Sequence, residues 1–318
     1  MNKPPATASV TIVTYNSESD IGPCLEAVLT QTHPVERIVV VDNASSDGTC
    51  GIVRRFDGPV TLLVNEMNIG FAPGHNQAIA HTKSDYVLVL NPDVILEPDY
   101  LSVILHYMEA HREIGSAAGR LVFAADPDVI DTTGLVMDAF RRARDRGTGE
   151  PAANWLQSGE VFGVSGAAAV YARRMIDDIR IDGQFFDEAY FAYKEDVDVA
   201  WRARLLGWKA YYAADARALH HRGWKYEGRA SRKSKPLFLR RHSYQNRIYT
   251  MVKNEPAGWR LLLRLPALIG MELAMTGYAA VFEPGLLGCW AAIARTLPQM
   301  LRKRRILYRR IHDRNGSS

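Results

Sequence analysis

The sequence predicts an α/β chain built on a doubly wound sheet, and three observations carry that reading. Residues 10–14 (VTIVT), 37–41 (RIVVV), 60–64 (VTLLV) and 86–90 (YVLVL) are short runs dominated by β-branched and apolar residues, as expected of parallel strands buried on both faces. Helical patterns separate them, so strand and helix alternate through the first hundred residues in the order that winds a sheet in both directions. Finally, acids and amides follow the strand ends, and in open α/β sheets ligands bind outside those carboxyl ends.

Composition narrows the class. A chain of 318 residues with 47% hydrophobic content can bury one large core and carry an appendage. Cys24, Cys50 and Cys289 are odd in number and lack CxxC spacing, which excludes a disulfide framework and a thiolate zinc site and predicts a reducing, cytoplasmic setting. The opening MNKPPATASV has no long apolar region of the kind a signal peptide needs. The net charge of +4 is uneven: residues 295–314 hold eight Lys or Arg against Asp313 alone, so the basicity belongs to the C-terminal end.

In order, the first strand leads through Tyr15-Asn16-Ser17 into an amphipathic helix whose Ile21, Cys24, Leu25, Val28 and Leu29 share a face, with Asp20 placed to cap it. The second strand ends in Asp42-Asn43. After the third, NIGFAPG (68–74) is a glycine-rich loop opening a helix through Asn76. Gly70 and Gly74 match neither GxGxxG nor a P-loop, which sets aside dinucleotide and ATP fingerprints. A helix N-terminus beside a diphosphate and a plain tight turn both remain open. The fourth strand breaks at Asn91-Pro92-Asp93, where proline cannot continue a ladder. A lone acid there, Asp93, can meet a metal or phosphate; an ordinary turn is the alternative.

The strings TIVTYNSESDI, VVVDNASSDGT, NIGFAPGHNQAI and VLVLNPDVIL, in this order and spacing, resemble the nucleotide-sugar half of inverting family 2 glycosyltransferases, and most of all their bacterial rhamnosyltransferase-like branch. The resemblance implies a GT-A-like fold, a doubly wound Rossmann-like mixed sheet flanked by helices. It implies a dTDP- or UDP-sugar donor, with L-rhamnose the sugar, and a saccharide or polyprenyl-linked acceptor of a cell-surface polymer. By position, Thr14, Tyr15 and Asn16 would border the nucleotide and Asp42 would bond its pyrimidine base, with Gly70 and Asn76 also on the donor side. Asp93 would be the second acid of the DxD motif, holding Mg²⁺ or Mn²⁺ on the diphosphate. Asn91 stands where many relatives have the first acid. One carboxylate plus substrate phosphates can suffice for such hard cations.

Beyond residue 100, residues 116–136 read as strands and turns and RRARDRGTGEP (141–151) as a solvated loop. VFGVSGAAAVY (161–171) is strand-like, and its small Ser165, Gly166 and Ala167 lie, by the resemblance, beneath the donor sugar. In residues 185–207, Lys194, Glu195, Asp196 and Asp198 open a helix that Gly207 closes. Acids in a first turn suit the helix dipole, so capping alone would explain each of them. The string resembles the family's acceptor-side ED motif, which makes Asp196 the general base, Glu195 an acceptor-positioning residue and Asp198 a cap or a partner of Arg202. After a strand at 209–213, His220 and His221 point to opposite sides of extended backbone. The resemblance assigns His220 to the metal or diphosphate site. Arg229, Arg232, Lys233 and Lys235 form either a phosphate lid or a solvated loop.

The last stretch differs in character. Residues 261–282 are apolar but interrupted by Arg264, Pro266 and Glu272, and residues 286–300 by Arg295 and Pro298, so neither reads as a clean spanning segment. With Arg302-Lys303-Arg304-Arg305 behind them, they predict a helical, basic region lying on the inner face of the cell membrane. A packed hairpin or a homo-oligomer interface is the alternative. The expected division is a catalytic domain at 1–253 (nucleotide-sugar half 8–100, acceptor half 101–253) and a membrane-associating tail at 254–318. Two other functions stay open: a nucleotidyltransferase, although the GxG-rich loop with Lys is missing, and a basic scaffold binding nucleic acid through the tail. The favoured reading has no nucleic-acid partner.

Overall fold

The computed structural model describes residues 5–222 and 236–316. Strands β1 (Ala8–Thr14), β2 (Val35–Asp42), β3 (Val60–Val64) and β4 (Tyr86–Leu90) alternate with helices α1 (Ile21–Leu29), α2 (Thr49–Val53) and α3 (Phe71–Ala80). They pair in parallel in the order β4-β1-β2-β3. Every residue of β4 is buried, as a central strand covered on both faces requires. The register sets Thr14 beside Asp42, and Ile12 beside Leu90, at one edge of this sheet.

The acceptor half extends the same sheet and makes it mixed. Beyond β5 (Val94–Leu96) and α4 (Tyr100–Ala110) come β6 (Ile114–Phe123), β7 (Asp126–Thr132), β8 (Leu135–Met137), β9 (Ala143–Asp145), β10 (Gly159–Val161), β11 (Ala168–Ala172), α5 (Arg173–Ile179), α6 (Glu195–Leu205) and β12 (Lys209–His220). Strand β11 runs antiparallel between β4 and β6, and β12 runs parallel to β6 while also pairing with β5 and β10. Residues 161–171, read as one run, are thus two strands in different parts of the sheet. The strand read at 209–213 continues to His220 through a register shift between Ala213 and Arg217. Asp20 makes no capping bond; the Ser17 carbonyl accepts from the Asp20 and Ile21 N–H groups instead.

The C-terminal region is helical: α7 (Leu237–Asn254), α8 (Trp259–Phe282) and α9 (Cys289–Gly316). Arg264 and Pro266, read as interruptions, lie inside α8. Among the described residues α8 is the one helix long and apolar enough to cross a membrane, by length and composition alone. Its acids turn inward, Glu272 to Arg247 and Glu283, just beyond its end, to Arg240, both on α7. Leu262, Leu263, Leu273, Val281 and Phe282 face outward, each more than 60% exposed.

Helix α9 behaves differently from the surface-lying helix that its charge predicts. Arg302 pairs with Asp182, the Lys303 ammonium is buried against Asp187, Arg304 donates to the Val252 carbonyl, and Arg314 pairs with Asp178. Of the RKRR cluster only Arg305 is exposed without such a bond among the described residues. The cluster bonds to the catalytic half because that half presents Asp178, Asp182 and Asp187 along one side, and burial strengthens such pairs where screening is weak. The basic stretch at 229–235 and the Trp224–Glu227 segment lie outside the described residues.

Candidate functional site

At the sheet edge where β1 and β2 end, Thr14 Oγ1 donates to Asp42 Oδ1 (2.9 Å), and Ser45 donates through its N–H (2.9 Å) and its hydroxyl (2.6 Å) to the same carboxylate. Asp42 is therefore turned into the protein: it is fully buried, and Thr14 and Ser45 complete its hydrogen bonding. In this arrangement Asp42 fixes the loop that follows β2. Asn16, in left-handed conformation (φ 51°), accepts from Ser46 N–H (2.8 Å) and donates its own N–H to Ser45 Oγ (2.8 Å). Tyr15 beside it is half exposed. These two present surface to a ligand where Thr14 and Asp42 do not.

The glycine-rich loop resolves as a structural turn. Gly70 has φ 96°, and a Cβ there would lie 2.6 Å from the Phe191 carbonyl oxygen. That oxygen accepts from the N–H groups of Phe71 (2.7 Å) and Ala72 (3.2 Å), so the first donors of α3 are already engaged and not aimed at a diphosphate. The Asn76 amide donates to the Phe186 carbonyl and to Glu188, and accepts from Phe186 N–H. Asn76 latches α3 to the segment before α6.

Asp93 and His220, the residues expected to face a metal, do converge. β5 and β12 pair so that His220 lies opposite Val94, which brings His220 Nε2 to 3.3 Å from Asp93 Oδ1. The other ring nitrogen, Nδ1, lies 2.7 Å from Asp131 Oδ2, and Asp131 is itself buried and held by Arg222. Burial opposes charging the imidazole, but its bonds to Asp131 and Asp93 outweigh burial and lift it to about 9. A buried carboxylate on the far nitrogen is how proteins orient a metal-binding histidine. Among the described residues no group of three or more His, Cys, Asp or Glu stands ready to hold a metal unaided. Asp93 and His220 thus fit a cation that takes its remaining ligands from substrate phosphates and water. Asn91 contributes through its backbone, donating to the Ala167 carbonyl (2.8 Å).

One residue away, Gly166 N–H donates to Asp196 Oδ2 (3.3 Å). The loop before β11 therefore touches both the Asn91–Asp93 turn and the first turn of α6, which joins metal side to base side. Burial raises the Asp196 carboxyl, with Lys194 opposing in part. Glu195 is buried with Oε2 lacking a hydrogen-bond partner, and burial together with the neighbouring Asp196 charge lifts it to about 8. A carboxylate deprived of water is a stronger base than one in solution. Asp198 is a structural group, as one of its two readings had it: it pairs with Arg202 at 2.9 Å, both nearly fully buried.

Beneath this site lies a buried ion network that sequence reasoning missed. Lys253 of α7 reaches Asp187 (2.5 Å) and Asp198 (2.8 Å), and Lys303 of α9 reaches Asp187 (2.6 Å). Burial alone would raise the Asp187 carboxyl, but the two ammonium groups more than offset it and hold it well below the usual range. The sequence offered little signal, since Lys253 lies on a helix face with Asn246 and Thr250 and Lys303 is one of four adjacent basic residues. Asp131 was also missed; it follows only Val129 and Ile130, and two threonines come after it, so nothing in the string marked it out.

Comparison with known proteins completes the picture. Residues 9–180 match the family described as glycosyl transferase family 2. The chain is 29% identical over 237 residues to an N-acetylglucosaminyl-diphospho-decaprenol L-rhamnosyltransferase of Mycobacterium tuberculosis, covering 67% of this chain and 75% of that protein. It is 26% identical over 232 residues to the rhamnosyltransferase WbbL of Escherichia coli K12, covering 67% and 82%. Among solved structures, a Pyrobaculum calidifontis mannosyltransferase in complex with GDP-Man and Mn²⁺ superposes with TM-score 0.55 at 18% identity, covering 98% of this chain and 87% of that one. S. aureus TarS 1-349 with UDP-GlcNAc gives 0.56 at 16%, covering 96% and 87%. These neighbours share the mixed sheet and its flanking helices, and the nucleotidyltransferase alternative falls away. With more than half its length matched by one family and its architecture repeated in these enzymes, the chain belongs to glycosyl transferase family 2 and has the GT-A fold.

Proposed function

We propose that this glycosyltransferase moves L-rhamnose from a nucleoside diphosphate donor to a hydroxyl of a lipid-linked saccharide, with inversion, at the inner face of the cell membrane. The observation that carries the reading is the place of the Asp196 carboxylate: half-buried in the first turn of α6, it accepts from Gly166 N–H in the loop whose Ala167 carbonyl accepts from Asn91 N–H beside Asp93, and burial raises it above its ordinary range. Asp196 takes the acceptor hydroxyl proton as that oxygen attacks the anomeric carbon. The bond from this carbon to the diphosphate breaks on the opposite face. Glu195 stands beside the base, and Tyr15 and Asn16 border the nucleotide. Asp93 and His220 would hold Mg²⁺ or Mn²⁺, which when bound offsets charge on the departing diphosphate. The rhamnosyl and polyprenyl assignments are supported by the names of the two curated relatives. Membrane attachment is supported by the outward apolar face of α8.

The test is nucleotide release across a panel of dTDP-, UDP- and GDP-sugars, with a polyprenyl-diphosphate GlcNAc acceptor, with and without chelator. dTDP-L-rhamnose should give the highest rate, lost in excess chelator and in Asp93→Ala. Equal turnover in chelator would remove the metal site, and a preference for another donor would remove the rhamnosyl assignment.

A further inference from the structure

We propose that Asn246, on α7, is a positioning residue for glycosyl transfer, because its side-chain amide holds in place the strained segment that aims Asp196. The proposal rests on the reading of Asp196 as the base. Of the four residues before Glu195, three are non-glycine residues in positive-φ conformation: Phe191 (φ 56°), Tyr193 (71°) and Lys194 (71°). Such conformations cost free energy and persist only where the surroundings over-determine them, which is common at functional sites. The Phe191 carbonyl is held by α3 and the Lys194 ammonium by the Ala143 carbonyl, and between them one buried side chain gathers the backbone. Asn246 Nδ2 donates to the carbonyls of Tyr190 (2.8 Å), Ala192 (2.9 Å) and Tyr193 (2.7 Å), two hydrogens shared among three oxygens. Asn246 is fully buried. Its amide orientation follows from its partners, since three carbonyls accept and cannot donate.

The segment is a bridge and not merely a loop. In its middle, the Phe191 carbonyl caps α3 next to Gly70; at its end, the chain turns directly into Glu195 and Asp196. A single amide therefore sets the spacing between the donor-side helix and the base. Removing it takes a donor from three carbonyls, of which Tyr190 keeps the Ala192 N–H, and the backbone can then relieve its strain by turning the first turn of α6. A displacement of about 1 Å at reacting groups costs on the order of 10²-fold in rate, even from a distant substitution.

The test compares full-length Asn246→Asp and Asn246→Ala with Asn254→Ala. Asn254 is another fully buried α7 amide, which bonds Asp198 and does not touch the bridge. For Asn246→Asp, which keeps shape but turns an acceptor toward three acceptors, kcat should fall roughly 30- to 100-fold with donor KM nearly unchanged. The acid limb of the pH–rate profile should also move, because the surroundings of the base change. Asn254→Ala should lower Tm as much but leave kcat per folded molecule near that of the parent. If Asn246→Asp does not fold, Asn246→Ser, which keeps a short donor, is read in the same way. Normal kcat in the Asn246 variants, or an equal kcat loss in Asn254→Ala, overturns the proposal. Full turnover by Asp196→Asn instead removes the base assignment, and this proposal falls with it.

Discussion

Glu195 and Asp196 are adjacent acids in the first turn of α6, Glu195 buried and Asp196 half-buried, and that difference dictates how each should respond to substitution and to pH. Asp196→Asn keeps size and most hydrogen bonding but removes basicity, so kcat should fall on the order of 10²- to 10⁴-fold, while donor affinity measured by calorimetry stays put. Normal turnover would make Asp196 structural. Glu195, lifted to about 8 by burial and its neighbour, binds its proton more tightly folded than unfolded. Its contribution to stability is therefore complete below the ordinary glutamate range and is lost as pH rises through about 8. Urea midpoints should decline across that window, and Glu195→Gln should flatten the decline; an unchanged slope would mean that Glu195 is solvated. The places of Asp93, His220 and Asp196 in the fold were legible because each ends or begins a strongly patterned element. The protein partners of Asp42 and Asn76 were illegible because a position in a string does not reveal which way a side chain turns. Asp131 and Asn246 were illegible because their partners lie 89 and more than 50 residues away.

The elements follow local rules, with exceptions where tertiary contacts decide. The four parallel strands came from apolar runs alone. The length of β12 did not, since it is set by pairing with β5 and β6 across a register shift. The turn before α3 is another such case, because Gly70 is required by Phe191, a residue far along the chain. Gly70→Ala should destabilise the protein by about 1–3 kcal/mol from the backbone conformation alone, and by more if Phe191 cannot move. Denaturant titration checks this, and a neutral substitution would show that the bridge does not press on this loop. Helix α8 illustrates the limit of reading interruptions: Pro266 and Arg264 both sit on exposed positions, where a helix tolerates them without disturbing a packed neighbour.

Over the whole molecule, the expected boundary after residue 253 separates less than the sequence suggested. Helix α8 stands off with its apolar side outward, while α9 returns to the catalytic half. Replacing Leu262, Leu263, Leu273 and Phe282 with Gln should abolish pelleting with anionic liposomes. Arg305→Gln should weaken it by about 1 kcal/mol, an effect that fades as salt rises. Unchanged pelleting would assign that face to a second copy of the chain, visible in sedimentation velocity. Lys303→Ala should cost about 3 kcal/mol, since it removes one partner from a buried charge cluster. The stability tied to Asp187, whose carboxyl is depressed, is present above the ordinary carboxylate range and is lost as pH falls below it. Lys303 also lies 116 residues after Asp187. At ribosomal speed, roughly 6–20 s separate the two, and for that interval the nascent enzyme holds a buried acid with an incomplete set of counter-charges. Lys253, 66 residues after Asp187, supplies the first of these counter-charges and Lys303 the second, so the same carboxylate is completed in two steps as the C-terminal helices dock.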